Sequence, residues 1–337
     1  MDRKRISIVI PCYKSENSID LVVKELLESV KNTFDYEIVL VNDNSPDQTW
    51  GKISDLAKKD DRIKAISLAK NCGQHSAILT GMRYTTGDYT AVIDDDGQTP
   101  VEYISSMVEK IVNEGWDVVC ADYDDRGRNS VFRDLGSFLA VRMSKWLLNE
   151  PDDVAVSVFF VAKRFVIAEI VRYDQPYPYL AGLLLRTTSR ITSIKIDQRR
   201  RLHGKSGYSF WKLISLWLNG FTAFSVKPLR LTSCIGIIAA FFGFILAIIT
   251  VIRKIMGVGL ILGWSSVISV ILILGGCILL ELGLLGEYIG RIYLSINLTP
   301  QSVIRETVNT NDGLFYIKDK GIQDPSALPS HSNTIEY

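Results

Sequence analysis

Two runs of the chain, 231–252 and 255–280, are 22 and 26 residues long and contain no charged side chain. Each exceeds the roughly 20 apolar residues needed to cross a bilayer. A soluble protein buries such a helix only by surrounding it, and two this long and this close together read as a membrane hairpin. Only Arg253 and Lys254 separate them, so the expected link is tight and both flanks lie on one side. Lys205, Lys212, Lys227, Arg230, Arg291 and Arg305 are the basic residues of that side, against Arg253 and Lys254 on the other. The larger basic count places both termini in the cytoplasm. Upstream, the aromatic and sparsely charged stretch 210–218 suits a helix lying in the bilayer interface. Gly243, Gly275, Gly276, Gly283, Gly286 and Gly290 are expected to let helices pack closely, within the hairpin or in a homo-oligomer.

The mean hydropathy of +0.15 owes its sign to the residues after 228. Charge is balanced, with 38 Lys+Arg against 37 Asp+Glu, which gives no case for non-specific nucleic-acid binding. Five scattered cysteines without a C-x-x-C pair read as reduced and cytosol-facing, and three dispersed histidines do not have zinc-site spacing. The apolar run after Arg3-Lys4-Arg5 is cut short by Pro11, so it reads as a first buried strand and not a signal peptide.

The first 120 or so residues alternate β-branched runs with helical patterns. Strands are expected at 6–10, 37–41, 63–68, 89–93 and 117–120. Ile19, Val22, Val23, Leu26, Leu27 and Val30 follow amphipathic helical spacing. Ser45-Pro46-Asp47-Gln48 looks like a capping box with proline at the first helical position, opening a second helix. A third helix is expected over 74–84 and a fourth over 101–112. Alternating βα units imply an α/β fold, a doubly wound and mostly parallel sheet with helices on both faces. Ligands of such sheets bind beyond the carboxyl ends of the strands, where Pro11-Cys12-Tyr13, Asn42-Asp43-Asn44 and Asp94-Asp95-Asp96 should converge.

Three adjacent carboxylates repel one another, so a fold that gathers them usually offers a cation. If Ile93 ends a strand, alternation points Asp94 and Asp96 the same way. With Gln98 they make an all-oxygen set suited to Mg²⁺ or Mn²⁺, whose shell substrate phosphates commonly complete. The bland alternative is a solvated acidic turn around Gly97.

Taken together these motifs resemble family 2 glycosyltransferases of the GT-A fold. Ser7-Ile8-Val9-Ile10-Pro11-Cys12-Tyr13-Lys14-Ser15-Glu16-Asn17 is similar to their opening strand, and Val39-Leu40-Val41-Asn42-Asp43-Asn44-Ser45-Pro46-Asp47 to their V-D-D-G-S-x-D segment. Asn71-Cys72-Gly73-Gln74-His75-Ser76-Ala77 resembles the stretch leading to the metal motif. Ile93-Asp94-Asp95-Asp96-Gly97-Gln98 resembles the D-x-D-x-Q of the polyprenyl-phosphate branch, the GtrB-like and dolichyl-phosphate-mannose-synthase-like enzymes. The two-helix anchor, entered through 224–230, resembles the bacterial members of that branch. The resemblance covers roughly residues 5–308.

The resemblance implies that Pro11, Tyr13, Glu16 and Asp43 hold the base and ribose of a nucleotide sugar. It implies a metal on Asp94, Asp96 and Gln98, and the sugar or ribose on Asp95. Gly73 and Gly81 are expected to serve turns or close packing. Arg133 to Ser137 resembles the R-x-x-x-S segment that receives a lipid phosphate, with Arg126 nearby. The 199–208 stretch resembles an R-x-x-G-x-S-x-Y loop that closes over the diphosphate through Arg201, Lys205 and Ser206, and a basic run there would also attract anionic headgroups. One departure matters: the aspartate that often serves as base is replaced by Val158, and Asp152 or Asp153 are only stand-ins by proximity.

The resemblance implies inverting transfer of a hexose, expected to be UDP-linked, to polyprenyl (undecaprenyl) phosphate. A phosphate acceptor is already largely anionic near neutral pH and needs positioning more than a base. The alternatives are a transferase extending a lipid-linked glycan at a hydroxyl, which does need a base, and a non-catalytic scaffold or flipping partner. The expected layout is a cytosolic catalytic domain over 1–208, interfacial helices over 209–228, two transmembrane helices over 229–294 and a cytosolic segment over 295–337. The tail of that last segment, beyond Asn309, is expected to be poorly ordered.

Overall fold

In the computed structural model, residues 3–123, 154–197, 227–256, 263–297 and 300–310 are described. The chain divides into an α/β unit, which includes 300–310, and a helical unit. The α/β unit is built on β1 (Arg5–Cys12), α1 (Ile19–Val30), β2 (Asp35–Asn42), α2 (Thr49–Lys59), β3 (Ile63–Leu68), α3 (Gln74–Met82), β4 (Tyr89–Val92), α4 (Tyr103–Glu114) and β5 (Val118–Tyr123). It continues with β6 (Phe160–Lys163), α5 (Arg164–Ile170), α6 (Leu180–Thr187) and β7 (Ile191–Ile196). These strands form one sheet in the order β7-β5-β6-β4-β1-β2-β3, with an eighth strand outside β3. β1 pairs in parallel with β2 and β4, β2 with β3, and β5 with β7, while β6 runs antiparallel to both β4 and β5. The expected mostly parallel GT-A sheet is the one observed.

The central strands are apolar on both faces, as parallel strands covered by helices must be. Ile6, Ile8, Ile10, Ile38 and Leu40 pack with Ile19, Leu26, Ile53 and Ile104 in one cluster with no exposed surface. On the other face, Gly81 lets α3 lie close to the sheet. A Cβ there would stand 2.5 Å from Val9 Cγ1 and 2.9 Å from Val41 Cγ2. Gly73 has a φ of +87°, so both glycines serve backbone geometry as expected.

The second helix departs from expectation. It begins at Thr49, and Pro46 lies outside it. Asp47 displaces the capping box: its Oδ1 accepts the Thr49 N–H at 3.1 Å, the Thr49 hydroxyl at 2.6 Å and the Ser45 hydroxyl at 2.5 Å. A carboxylate within reach of three donors outcompetes the box.

The eighth strand, β8 (Ile304–Val308), follows the helical unit in sequence. It runs antiparallel to β3, from Ala65 opposite Val308 to Leu68 opposite Ile304, with a register shift between Ser67 and Leu68. The segment expected only as a cytosolic extension is therefore the edge of the catalytic sheet.

The helical unit contains α7 (Lys227–Ile255) and α8 (Trp264–Ile296). The break between them is not at Arg253-Lys254, which lie inside α7. α7 runs on to Ile255, and α8 starts at Trp264 and extends past Leu280 through Glu281 and Glu287. The stretch Ile273–Ile296 is long and apolar enough to cross a membrane, and α7 carries a further apolar stretch that includes Thr232–Ile245. Phe241, Phe242 and Phe244 on α7 and Ile271, Leu279 and Ile289 on α8 are exposed, which a soluble helical core would not leave in water. Ser233 donates its hydroxyl to Glu281 at 3.2 Å, one helix to the other. Among the described residues, a Cβ added at Gly243, Gly275, Gly276, Gly283, Gly286 or Gly290 would meet nothing within 4 Å. Gly236 instead faces Glu281, at 3.7 Å.

Candidate active site at the carboxyl edge of the parallel strands

Asp94, Asp95 and Asp96 follow β4, where Val92 lies opposite Phe160 of β6 and beside Val9 of β1. The strand's alternation separates the three acids. Asp95 turns toward β1, where its Oδ2 accepts the Tyr13 N–H at 2.9 Å and the Ser15 hydroxyl, and its carbonyl accepts the Ser18 hydroxyl at 2.7 Å. Burial pushes its carboxyl above the usual range, and the charge of Asp96 adds to this, against the hydrogen bonds from Ser15 and Tyr13. Asp94 Oδ1 accepts the Gln74 side-chain amide at 2.7 Å, and Asp96 Oδ1 accepts the Gln98 N–H at 3.0 Å.

Tyr123, at the end of β5, lies close to the outer two acids. Burial raises its hydroxyl pKa first, then the charges of Asp94 and Asp96, with a hydrogen bond to Thr99 acting the other way. Asp95 is instead bonded to the loop after β1.

Asp43, after β2, is 3% exposed. Its two oxygens accept the Cys72 and Gly73 N–H groups at 2.7 and 2.8 Å, and its carbonyl accepts Asn71 at 3.1 Å. Burial raises its carboxyl and these backbone donors partly offset the rise. Asp43 therefore fixes the β3–α3 loop and the start of α3, which in turn presents Gln74 to Asp94.

The loops after β1 and β2 are stapled together. Glu16 Oε2 accepts the Gln48 N–H at 2.9 Å, the Glu16 N–H donates to Asp47 at 3.4 Å, and the Ser15 N–H donates to Thr49 at 2.9 Å. For Asp47, burial opposes the charge, but the Ser45 and Thr49 hydrogen bonds win and hold its pKa below the usual range. Lys14 and Asn44 take left-handed backbone conformations, with φ of 59° and 49°. The Lys14 N–H is secured by Ser45 Oγ at 2.7 Å, and the Lys14 ammonium stands 5.6 Å over the exposed Tyr13 ring. Such conformations in non-glycine residues cost free energy and collect at functional loops.

Pro11, Tyr13, Glu16, Asp43, Asp94, Asp95, Asp96 and Gln98 are thus gathered at one edge. Sequence reading missed Gln74 and Tyr123 as neighbours of the acids. A strand running to 123 instead of 120 would have brought Tyr123 there. Val158 precedes β6, the strand beside the acid-bearing β4, so an apolar side chain stands near the acids. Arg126, Arg133, Ser137, Asp152, Asp153, Arg201, Lys205 and Ser206 lie outside the described residues, as do the interfacial stretch and the tail from 311.

Among the described residues no three His, Cys, Asp or Glu side chains gather as a metal site. Two neighbouring carboxylates, both oriented by hydrogen bonds, still fit a hard cation that takes its remaining ligands from phosphate and water.

The glycosyl transferase family 2 model matches residues 7–170, and the GtrB C-terminal hairpin model matches residues 227–292. The uncharacterized glycosyltransferase YkcC of Bacillus subtilis is 32% identical over 315 residues, 92% of this chain and 96% of that protein. The bactoprenol glucosyl transferase of Shigella phage SfX is 31% identical, over 89% of this chain and 99% of that one. The undecaprenyl-phosphate 4-deoxy-4-formamido-L-arabinose transferase of Photorhabdus laumondii is 33% identical, over 91% and 95%. The chain belongs to glycosyl transferase family 2 and is a glycosyltransferase carrying a GtrB-type hairpin.

Proposed function

We propose that this enzyme moves a hexose from a UDP-linked sugar to polyprenyl phosphate and releases a polyprenyl-phosphate monosaccharide for cell-envelope glycans. One relationship carries the reading: Asp94, held by Gln74, and Asp96, held by the Gln98 N–H, stand together at the carboxyl edge, in a family 2 chain whose hairpin is of the GtrB type. Two long relatives whose names specify a bactoprenol or undecaprenyl-phosphate transferase support the acceptor class.

A lipid phosphate oxygen attacks the anomeric carbon from the face opposite the leaving group. The C–O bond to the nucleotide diphosphate breaks, its electron pair leaves with the diphosphate, and the configuration inverts. Asp94, Asp96 and Gln98 would hold Mg²⁺ or Mn²⁺, which would supply charge to offset that on the departing diphosphate. Tyr13 and Pro11 form the floor for the base, with Glu16 holding the adjoining loops. Asp43 and Asp95 shape the pocket from behind through the β3–α3 and β1–α1 loops. Arg201, Lys205 and Ser206 are assigned to the diphosphate, and Arg126, Arg133 and Ser137 to the lipid phosphate. Val158 in place of a carboxylate favours a phosphate acceptor over a sugar hydroxyl, since the phosphate needs no base. Asp153 is the remaining candidate base should the acceptor prove to be a hydroxyl.

The sheet strands β1–β7 precede the hairpin and β8 follows it, which supports an even number of crossings and a catalytic domain and C-terminus on the same side. We place that side in the cytoplasm, where nucleotide sugars are made. The layout of a catalytic domain over 1–208, interfacial helices over 209–228 and two spans over 229–294 is retained, with 300–310 reassigned to the catalytic unit. A homo-oligomer, with partner helices packing on the glycines of α7 and α8, belongs to the same reading.

The test uses the purified full chain, radiolabelled UDP- and GDP-sugars, and polyprenyl phosphate as sole acceptor. A labelled lipid monosaccharide is expected with one UDP-sugar. No lipid product with any donor, alongside transfer to a glycan hydroxyl, would replace this reading with glycan extension.

A further inference from the structure

We propose that Gln301 and Ser302, on the chain returning from the hairpin, are positioning residues for the donor side of the site. The proposal rests on the assignment of Asp94 to that side.

The returning chain does more than extend the sheet edge. Gln301 is 8% exposed, and its amide donates to the Gln175 carbonyl at 2.9 Å while its oxygen accepts Arg83 at 3.4 Å. Arg83, at the C-terminal end of α3, also reaches Asp174 at 3.1 Å. Ser302 and the buried Thr80 of α3 share a hydroxyl–hydroxyl bond of 2.7 Å. The Val303 carbonyl accepts the Ala69 N–H at 2.8 Å, and the Arg305 guanidinium donates to the Ala69 carbonyl at 3.1 Å, where β3 gives way to the β3–α3 loop.

These contacts hold both supports of Gln74. One is α3 itself, gripped at Thr80 and Arg83 and opened by the Gly73 N–H on Asp43. The other is the segment from Tyr173 to Tyr179. Gln301 holds its start, and at its end the Tyr179 ring meets His75 edge-on at 5.6 Å, next to Gln74. Gln74 then donates to Asp94 at 2.7 Å. An amide contact to a carboxylate is productive only when its helix is fixed in both position and rotation, and Gln301 and Ser302 supply that constraint from the far side of α3. The sequence places this constraint after the hairpin, so the donor site is complete only in a chain that has returned from the membrane.

The test is hydrogen exchange of the full chain in detergent without metal or nucleotide, paired with UDP-sugar titration in Mn²⁺. The variants are Gln301→Ala, Ser302→Ala, Gln74→Ala and Gln301→Ala/Gln74→Ala. Loss of one buried hydrogen bond is expected to speed exchange over 73–77 by about tenfold in the first two, with β1 and β2 unchanged. UDP-sugar binding should weaken in each single variant, and the double variant should bind no more weakly than its weaker parent, because both changes act on one contact. Unchanged exchange over 73–77, or losses that multiply in the double variant, would overturn the proposal. If Gln301→Ala speeds exchange throughout β1 and β2, Ser302→Ala, which removes one hydroxyl, decides by the same criteria. Wild-type protein that binds no UDP-sugar would overturn the donor assignment alone, with the exchange arm still deciding whether residues 301–302 fix α3.

Discussion

Asp95 accepts the Tyr13 N–H at 2.9 Å, which ties the middle acid of the triplet to the loop after β1, while Asp94 accepts the Gln74 amide and Asp96 the Gln98 N–H. The proposed function gives these three consecutive aspartates two different roles. Asp94→Asn and Asp96→Asn keep shape and hydrogen-bonding capacity but remove charge, so transfer should fall roughly 100-fold or more with little change in melting temperature. Asp95→Ala leaves the Ser15 hydroxyl and the Tyr13 N–H unpaired and should cost about 1–3 kcal/mol of stability. Activity assays and thermal melts on the three variants check this division, and equal melting temperatures for all three would refute it.

His75 gives the fold a pH dependence of known sign. Burial holds its pKa down, to about 4 from an ordinary 6.5, and its buried Nδ1 has no hydrogen-bond partner among the described residues. Between those values the unfolded chain binds a proton that the folded chain refuses, so this group's contribution to stability declines as pH falls through the window. His75→Phe keeps a ring against Tyr179 and removes the titration. The wild-type melting temperature should drop more steeply than the variant's between pH 6.5 and 4, and parallel curves would show that His75 does not titrate there.

The strands and helices up to 123 were legible because their patterns are local. Val9, Val39 and Ala91 sit in short β-branched or small-residue runs, and Ile19 to Val30 repeats at helical spacing. Alternation also sets Asp95 apart from Asp94 and Asp96, and Asp95 is the acid bonded to Tyr13 and Ser15 after β1. What escaped was set by partners distant in sequence. Ile304 to Val308 is five residues with a mixed face, and nothing in them names β3 as the neighbour. The start of α2 escaped because Asp47, a better acceptor than the expected box, gathers three donors at once. Gln74 was read inside a motif, yet its contact with Asp94 depends on how α3 is seated.

A buried ion pair offers a sharper stability test away from the site. Lys64 Nζ lies 2.9 Å from Glu37 Oε2 and also donates to the Tyr84 carbonyl at 2.9 Å, with both side chains almost fully buried. Burial opposes the Glu37 charge, but hydrogen bonds from Ser7, Thr86 and Lys64 hold its pKa below the usual 4.5. Lys64→Met removes one partner and leaves a buried carboxylate, which should cost about 3–5 kcal/mol at neutral pH. Adding Glu37→Gln should recover part of that loss. Denaturation of the two variants in detergent checks the prediction, and a Lys64→Met protein as stable as wild type would mean that the pair contributes nothing net.

β8 predicts what happens when the chain is cut before the hairpin. A protein ending at residue 226 loses the strand opposite Ala65, Ile66, Ser67 and Leu68, and with it the bond from Trp50 Nε1 to Glu306 at 3.1 Å. It also loses Asn309, whose amide donates to the carbonyls of Ala57 at 2.5 Å and Ile63 at 3.0 Å. An open, largely apolar strand edge is a template for pairing with other chains. The shortened protein should therefore self-associate and melt at a lower temperature than one in which residues 300–310 are rejoined to residue 226 by a flexible linker. Light scattering and thermal melts of the two proteins provide the comparison. If the rejoined protein aggregates as readily as the shortened one, the returning strand does not protect this edge. If it stays monodisperse, eleven residues beyond the membrane hairpin suffice to close the catalytic sheet.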